Sequence, residues 1–227
     1  MDAKTFDLIK PLSAAALDTA KAGAASHSVQ FYVHDDSMLE EASCFLEPAI
    51  AAGGAAVLIA TPEHRQGILA RLAERGLDFE PALREGRIVM ADAAEMLSQI
   101  TSEGVPDWTK FEAVVGAAIA RANAACKQAA TDGAKCTPVA VFGEMVALLL
   151  AEGKREAVLR LEQFWNRLLE TGVARLHCAY PIDAFNEGDA ETFLRVCAEH
   201  SVVEPDVGAW HGAGSENNSR AITLFRH

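Results

Sequence analysis

Residues 27–60 read HSVQFYVHDDSMLEEASCFLEPAIAAGGAAVLIA, and the order of textures in this stretch decides the fold. Ser28 to Val33 is rich in β-branched and aromatic side chains, the composition of a strand. Asp35 and Asp36 follow as candidate helix caps. Leu39, Ala42, Phe45, Leu46 and Ala49 then recur at three- and four-residue steps, and Gly53-Gly54 stops the helix. Ala55 to Ala60 is a short apolar run without polar alternation, which suits a strand covered on both faces.

The same unit repeats outward. Thr61-Pro62 is a cap and first-turn pair opening a helix to Arg75. Arg87–Ala91 reads as a third strand, Asp92–Ile100 as a short helix, and Asp107 to about Ala130 as a long one with Phe111, Val114, Val115, Ala118, Ile119 and Ala122 on one stripe. After a loop at 131–137 come a fourth strand, Pro138–Phe142, helices Glu144–Ala151 and Lys154–Thr171 separated at Gly153, and a fifth strand, Ala174–Tyr180. Asp189–Ser201 is the last helix. Strands alternating with helices demand right-handed crossovers, so the chain is read as α/β, with a mostly parallel central sheet of at least five strands flanked by helices. Residues 1–26 form an alanine-rich leader, 27–204 the domain, and 205–227 a polar tail in which Ala221–Phe225 is a candidate edge strand or dimer closure.

With 227 residues, half of them hydrophobic, the chain can bury a large core. A formal charge of −12 disfavours nucleic acid and anionic membrane surfaces. The leader lacks the continuous apolar core of a signal peptide, and no apolar run is long enough to span a bilayer. Five cysteines without a CxxC pair read as reduced thiols in a cytoplasmic protein, although Cys126 and Cys136 flank a loop and a redox-labile bridge between them is left open.

In an open α/β sheet, ligands settle beyond the carboxyl ends of the strands, which here carry His34, Asp35, Thr61, Asp92, Glu144 and Tyr180. A nucleotide hydrolase needs GxxxxGK[ST] after a strand, because backbone amides and the lysine neutralise phosphate charge. The sequence has none. Its first strand runs into His34-Asp35-Asp36, two carboxylates that repel a triphosphate, so the chain is expected not to be an enzyme.

Several motifs in order, HSVQFYVHDDSMLEEASCFL, AAVLIATPEHR, GRIVMADAAEML, VAVFGEMVALLLAEGK, LEQFWNRLL and LHCAYPIDAF, closely resemble the MEDS family of sensory domains over roughly residues 27–204. The resemblance implies a fold related to RecA and the circadian-clock ATPases with a degenerate Walker A loop, and sensing of hydrocarbon derivatives or similar small molecules. It also implies output through a partner, a histidine kinase or a transcriptional regulator. The family's characteristic residues fall on His27, Phe31, Tyr32 and Asp36, on Asp92 and Glu95, on Glu144, on Glu162, Trp165 and Asn166, and on Cys178, Tyr180 and Pro181. Two departures stand out: Leu150 replaces a tryptophan common among relatives, and AACKQAATDGAKCTP precedes the fourth strand like an insertion.

The candidate ligand-binding set is therefore His27, Tyr32, His34, Asp35, Asp36, Asp92, Glu144, Glu162, Trp165, Asn166, Cys178 and Tyr180, with no catalytic residue and no cofactor named. Trp165 shares a stripe with Leu161 and Leu168, which favours core packing. Glu162 and Asn166, four apart, suggest a hydrogen bond on the helix surface. No metal site is assigned, since His177 and Cys178, adjacent on a strand, point to opposite faces and cannot share an ion. A ligand-independent interaction module, such as a kinase scaffold, is the alternative, and a homodimer is left open.

Overall fold

The strands form where β-branched and apolar side chains run together, and each feeds a helix that packs back on the sheet. The computed structural model of the chain describes residues 26–130 and 136–205. Its main elements are β1 (His27–Tyr32), α1 (Asp35–Ala51), β2 (Ala56–Ala60), α2 (Pro62–Glu74), the short α3 (Glu80–Arg84), β3 (Ile88–Asp92) and α4 (Ala93–Ile100). A two-stranded ribbon follows, β4 (Thr101–Ser102) and β5 (Val105–Pro106), then α5 (Trp108–Phe111), a π-turn at Glu112–Gly116 and α6 (Ala117–Ala129). The second half contains β6 (Val139–Gly143), α7 (Met145–Ala151), α8 (Arg155–Leu169), β7 (Ala174–Pro181), α9 (Ala190–Glu199) and β8 (Val202–Pro205).

Six strands make one sheet in the order β3-β2-β6-β7-β1-β8, and every pairing in it is parallel. The α/β reading therefore holds. Alternation along each strand divides the core. Val29, Phe31, Val57, Ile59, Val141, Leu176, Cys178 and Tyr180 face α4 and α6 to α9. Tyr32, Leu58, Phe142 and Ala179 face α1 to α3. With both faces covered, β1, β2 and β6 are buried at every position. Leu150 is buried as well, so the smaller residue there sits in the core rather than on a surface.

Three features depart from the sequence reading. The helix expected over 107–130 is interrupted by the π-turn. Residues after Ser201 continue as β8, which adds a sixth strand beside β1 with Ser28 opposite Val202. Cys126 and Cys136 are joined as a disulfide, Cα to Cα 6.3 Å, across the loop they flank, so not all thiols are free; Cys44, Cys178 and Cys197 are. The expected Ala221–Phe225 strand lies outside the described residues. Among those residues no helix is long and apolar enough to cross a membrane.

The docking of β8 carries a pH dependence. Burial, reinforced by Glu41 on α1, pushes the Glu204 carboxyl from 4.5 up to about 8. A carboxyl raised on folding binds its proton more tightly in the native state. Its contribution is thus complete below the unfolded value and is lost as pH rises toward 8. Unfolding free energy is expected to decline between pH 5 and 8, and Glu204→Gln to flatten that decline in denaturant titrations; an unchanged slope in the variant would refute the assignment.

Candidate functional site

The candidate residues gather into two constellations rather than one. The first is buried beneath the sheet between β1, β7, α8 and the end of α9. Cys178 and Tyr180, two apart on β7, share the face that meets α8, and Glu162 from α8 lies between them and β1. Tyr180 donates its hydroxyl to Glu162 Oε1. His27 Nε2 lies 3.3 Å from Glu162 Oε2 and 3.5 Å from Cys178 Sγ. His200, which the sequence reading missed, lies against His27 with ring centroids 3.9 Å apart and the rings tilted by 45°, and places Nε2 3.6 Å from Glu162 Oε1. The Glu162, His200 and Cys178 side chains are fully enclosed.

Hydrogen bonds assign the tautomers. Asn166 Nδ2 donates to the Glu199 carbonyl at 2.9 Å and carboxylate at 2.8 Å, so its Oδ1 is the group 2.8 Å from His27 Nδ1. His27 Nδ1 is therefore the N–H. His200 Nδ1 meets the Val196 carbonyl at 2.7 Å and must also be the N–H. Burial pushes the His200 imidazole down, toward its neutral form. Its Nε2 then offers a lone pair toward Glu162 and has no hydrogen-bond partner. Burial also pushes the Cys178 thiol and the Tyr180 phenol up. Asn166 is thus turned inward to His27 and Glu199, which corrects the expectation of a surface bond to Glu162.

The second constellation lies at the carboxyl ends of the strands. Glu144, almost wholly buried after β6, accepts from the Thr61 backbone N–H and lies 2.7 Å from His64 Nδ1. Thr61 caps α2 through His64 N, so a protein carboxylate sits at a helix N-terminus where an external anion would otherwise bind. His64 Nε2 reaches Asp35 at 3.7 Å. The bond to Glu144 holds the His64 imidazole above its ordinary value. Burial, with Glu144, Asp35 and Asp183 adding charge, pushes the Tyr32 phenol up, so Tyr32 remains a hydroxyl. His64 was not singled out in the sequence; its one signal is its place in the first turn after a strand-ending Thr-Pro.

Glu144→Gln is expected to lower the His64 titration midpoint followed by NMR. A raised histidine contributes stability below 6.5 that is lost as pH climbs through the folded value, so the variant should also lose that part of the acid-side stability. An unmoved midpoint would show that Glu144 does not hold the ring.

The remaining candidates stand apart. His34 is the N-cap residue of α1 without a side-chain cap bond. Asp36, on the surface, pairs with Arg71 at 2.7 Å. Asp92 caps α4 by accepting from Glu95 N at 3.0 Å and lines an open cleft of about 430 Å³ with Arg65 and Met90. Trp165 is 1% exposed and packs edge-on against Phe111 at 5.0 Å. His177 and Cys178 do face opposite sides: His177 stacks on Phe45 at 5.3 Å, and burial drives its imidazole down to about 3.

No curated protein matches the chain. A family model does, over residues 26–200: the methanogen/methylotroph, DcmR sensory domain, MEDS. That span takes in β1 through α9 and both constellations, and the chain belongs to the MEDS family of sensory domains.

Proposed function

We propose that this chain is a non-catalytic sensory module that answers to a small neutral molecule in the strand-end crevice and passes the change to a partner protein, a histidine kinase or a transcriptional regulator. The observation that carries the reading is Glu144 seated on the Thr61 amide and His64. The carboxylate fills the anion position of the crevice. The turn after β1, His34-Asp35-Asp36, supplies one more acidic group to it, Asp35 beside His64, where a phosphate loop would supply amides and a lysine. Phosphates are repelled from such a site. The Tyr32 hydroxyl and the His64 ring remain to hydrogen-bond a short-chain oxygenated or halogenated hydrocarbon, in keeping with a RecA-like site that has lost its nucleotide. Because α1 and α2 both start at this crevice and pack against each other, a ligand between Asp35 and His64 would alter their packing, which a partner can read.

Melting curves of the full chain with short-chain alcohols, aldehydes and halogenated hydrocarbons, and with Mg-ATP, test this. Stabilisation by at least one small compound and none by Mg-ATP is expected; stabilisation by Mg-ATP with phosphate release would overturn it. A ligand-independent interaction module is the second reading. It is favoured by exposed Met90 on β3 and Val203 on β8, one at each outer strand of the sheet, and it predicts no stabilisation by any compound.

A further inference from the structure

The buried cluster goes beyond the sensory reading and does not depend on it. Its four inward groups, His27 Nε2, a Glu162 carboxylate oxygen, Cys178 Sγ and His200 Nε2, all lie within 4.8 Å of one another. With Oε2 as the Glu162 vertex, the edges to His27 and Cys178 are 3.3 and 3.8 Å and the His27–Cys178 edge is 3.5 Å; His200 Nε2 stands 3.6 Å from the other carboxylate oxygen, Oε1. Ligands about 2.0–2.3 Å from a zinc ion at tetrahedral angles stand roughly 3.3–3.6 Å apart. Two imidazole nitrogens, one thiolate and one carboxylate are a borderline-soft set that suits zinc.

The second observation is the orphaned His200 Nε2, enclosed, without a partner, and aimed at the centre of the cluster. The tautomers add a third. Asn166 and the Val196 carbonyl each take the far N–H of a histidine, and Tyr180 donates to Glu162. Each of these three groups thus has the outer hydrogen bond that orients a metal ligand. Without a cation, the enclosed His200 Nε2 faces a carboxylate and no donor, an arrangement that costs desolvation without return.

We propose that His27, Glu162, Cys178 and His200 bind one divalent transition-metal ion of the zinc class in a closed tetrahedral site. Binding deprotonates the Cys178 thiol, whose proton passes to buffer, and the resulting thiolate and the Glu162 carboxylate balance the two positive charges. The ion joins β1, α8, β7 and the α9–β8 junction, so it fixes the last helix and the outer strand to the sheet.

The test uses chelator-stripped full chain titrated with Co²⁺ and then Zn²⁺. One equivalent of cobalt should give the strong visible bands of tetrahedral coordination and a thiolate charge-transfer band, and zinc should bleach both. Cys178→Ser should lose the charge-transfer band, and Asn166→Ala should weaken binding about 10–100-fold. The double variant Cys44→Ser/Cys197→Ser should keep the full spectrum. With Cys126 and Cys136 bridged, Cys178 is then the thiol responsible, even if Cys178→Ser does not fold. Failure of the wild-type chain to take up a stoichiometric ion, octahedral cobalt bands, or a spectrum unchanged in Cys178→Ser would overturn the site. A metal-independent melting response to small compounds would leave the sensory reading standing in any of those cases.

Discussion

Glu162→Leu is expected to lower the unfolding free energy by about 3–5 kcal/mol, the range for removing one partner from a buried charged network. The carboxylate is completely enclosed. It accepts the Tyr180 hydroxyl and faces His27 and His200, so leucine leaves Tyr180 without its acceptor and sets two buried imidazoles against an apolar side chain. Glu162→Gln keeps an acceptor for Tyr180 and should cost less, about 1–3 kcal/mol. In a domain of this size, the leucine variant should melt roughly 6–20 °C lower. Urea titrations monitored by circular dichroism measure the difference. A loss below about 1 kcal/mol for Glu162→Leu would mean that the polar cluster contributes little to holding β1, α8 and α9 together.

Trp165→Ala is expected to cost a similar about 3–5 kcal/mol, from the cavity left by a large buried ring. Trp165 faces Phe111 edge-on and is among the largest fully buried side chains. Truncation therefore removes packing between α8 and the start of the α5–π–α6 segment. This decides a question the sequence left weighted but open. If the indole packs the core, its loss lowers baseline stability and leaves the melting increment produced by a stabilising compound unchanged. A near-normal baseline with the increment abolished would instead make Trp165 a ligand contact. The loss is a large share of the 5–15 kcal/mol typical of a whole domain, so partial unfolding of the variant at 37 °C is expected.

The strands and helices that repeat the β–α unit were readable because each rests on local texture, such as the β-branched run at Ser28 to Val33 or the Thr61-Pro62 helix start. β8 was not. Its Val202-Val203 pair is β-prone but is cut short by Glu204-Pro205, and pairing with β1 makes the segment a strand. The π-turn at Glu112–Gly116 likewise preserves an apolar stripe that reads as one continuous helix.

The site shows the same division. His27, Glu162, Asn166, Cys178 and Tyr180 were found from three separate motifs, yet their union in one buried cluster depends on parallel registers, His27 opposite Leu176 and Val29 opposite Cys178. Register across long crossovers is set by tertiary packing, which spacing along the chain does not encode. The strand-end rule grouped Glu144, Asp35 and Tyr180; the first two do meet around His64, whereas Tyr180 points beneath the sheet to Glu162. His200 carries no pattern in the sequence, and His64 only its place after Thr61-Pro62. Each becomes visible only when Glu144 or Glu162 is seen facing it.

The central claim, a strand-end crevice that has given up phosphate for a small neutral ligand, is tested most directly by NMR of the Thr61 amide and the His64 ring in the full chain. Mg-ATP is titrated first, then the short-chain alcohols, aldehydes and halogenated hydrocarbons. Both resonances should stay fixed through the nucleotide titration and move saturably with at least one small compound. Saturable movement with Mg-ATP, or no movement with any small compound, would contradict it.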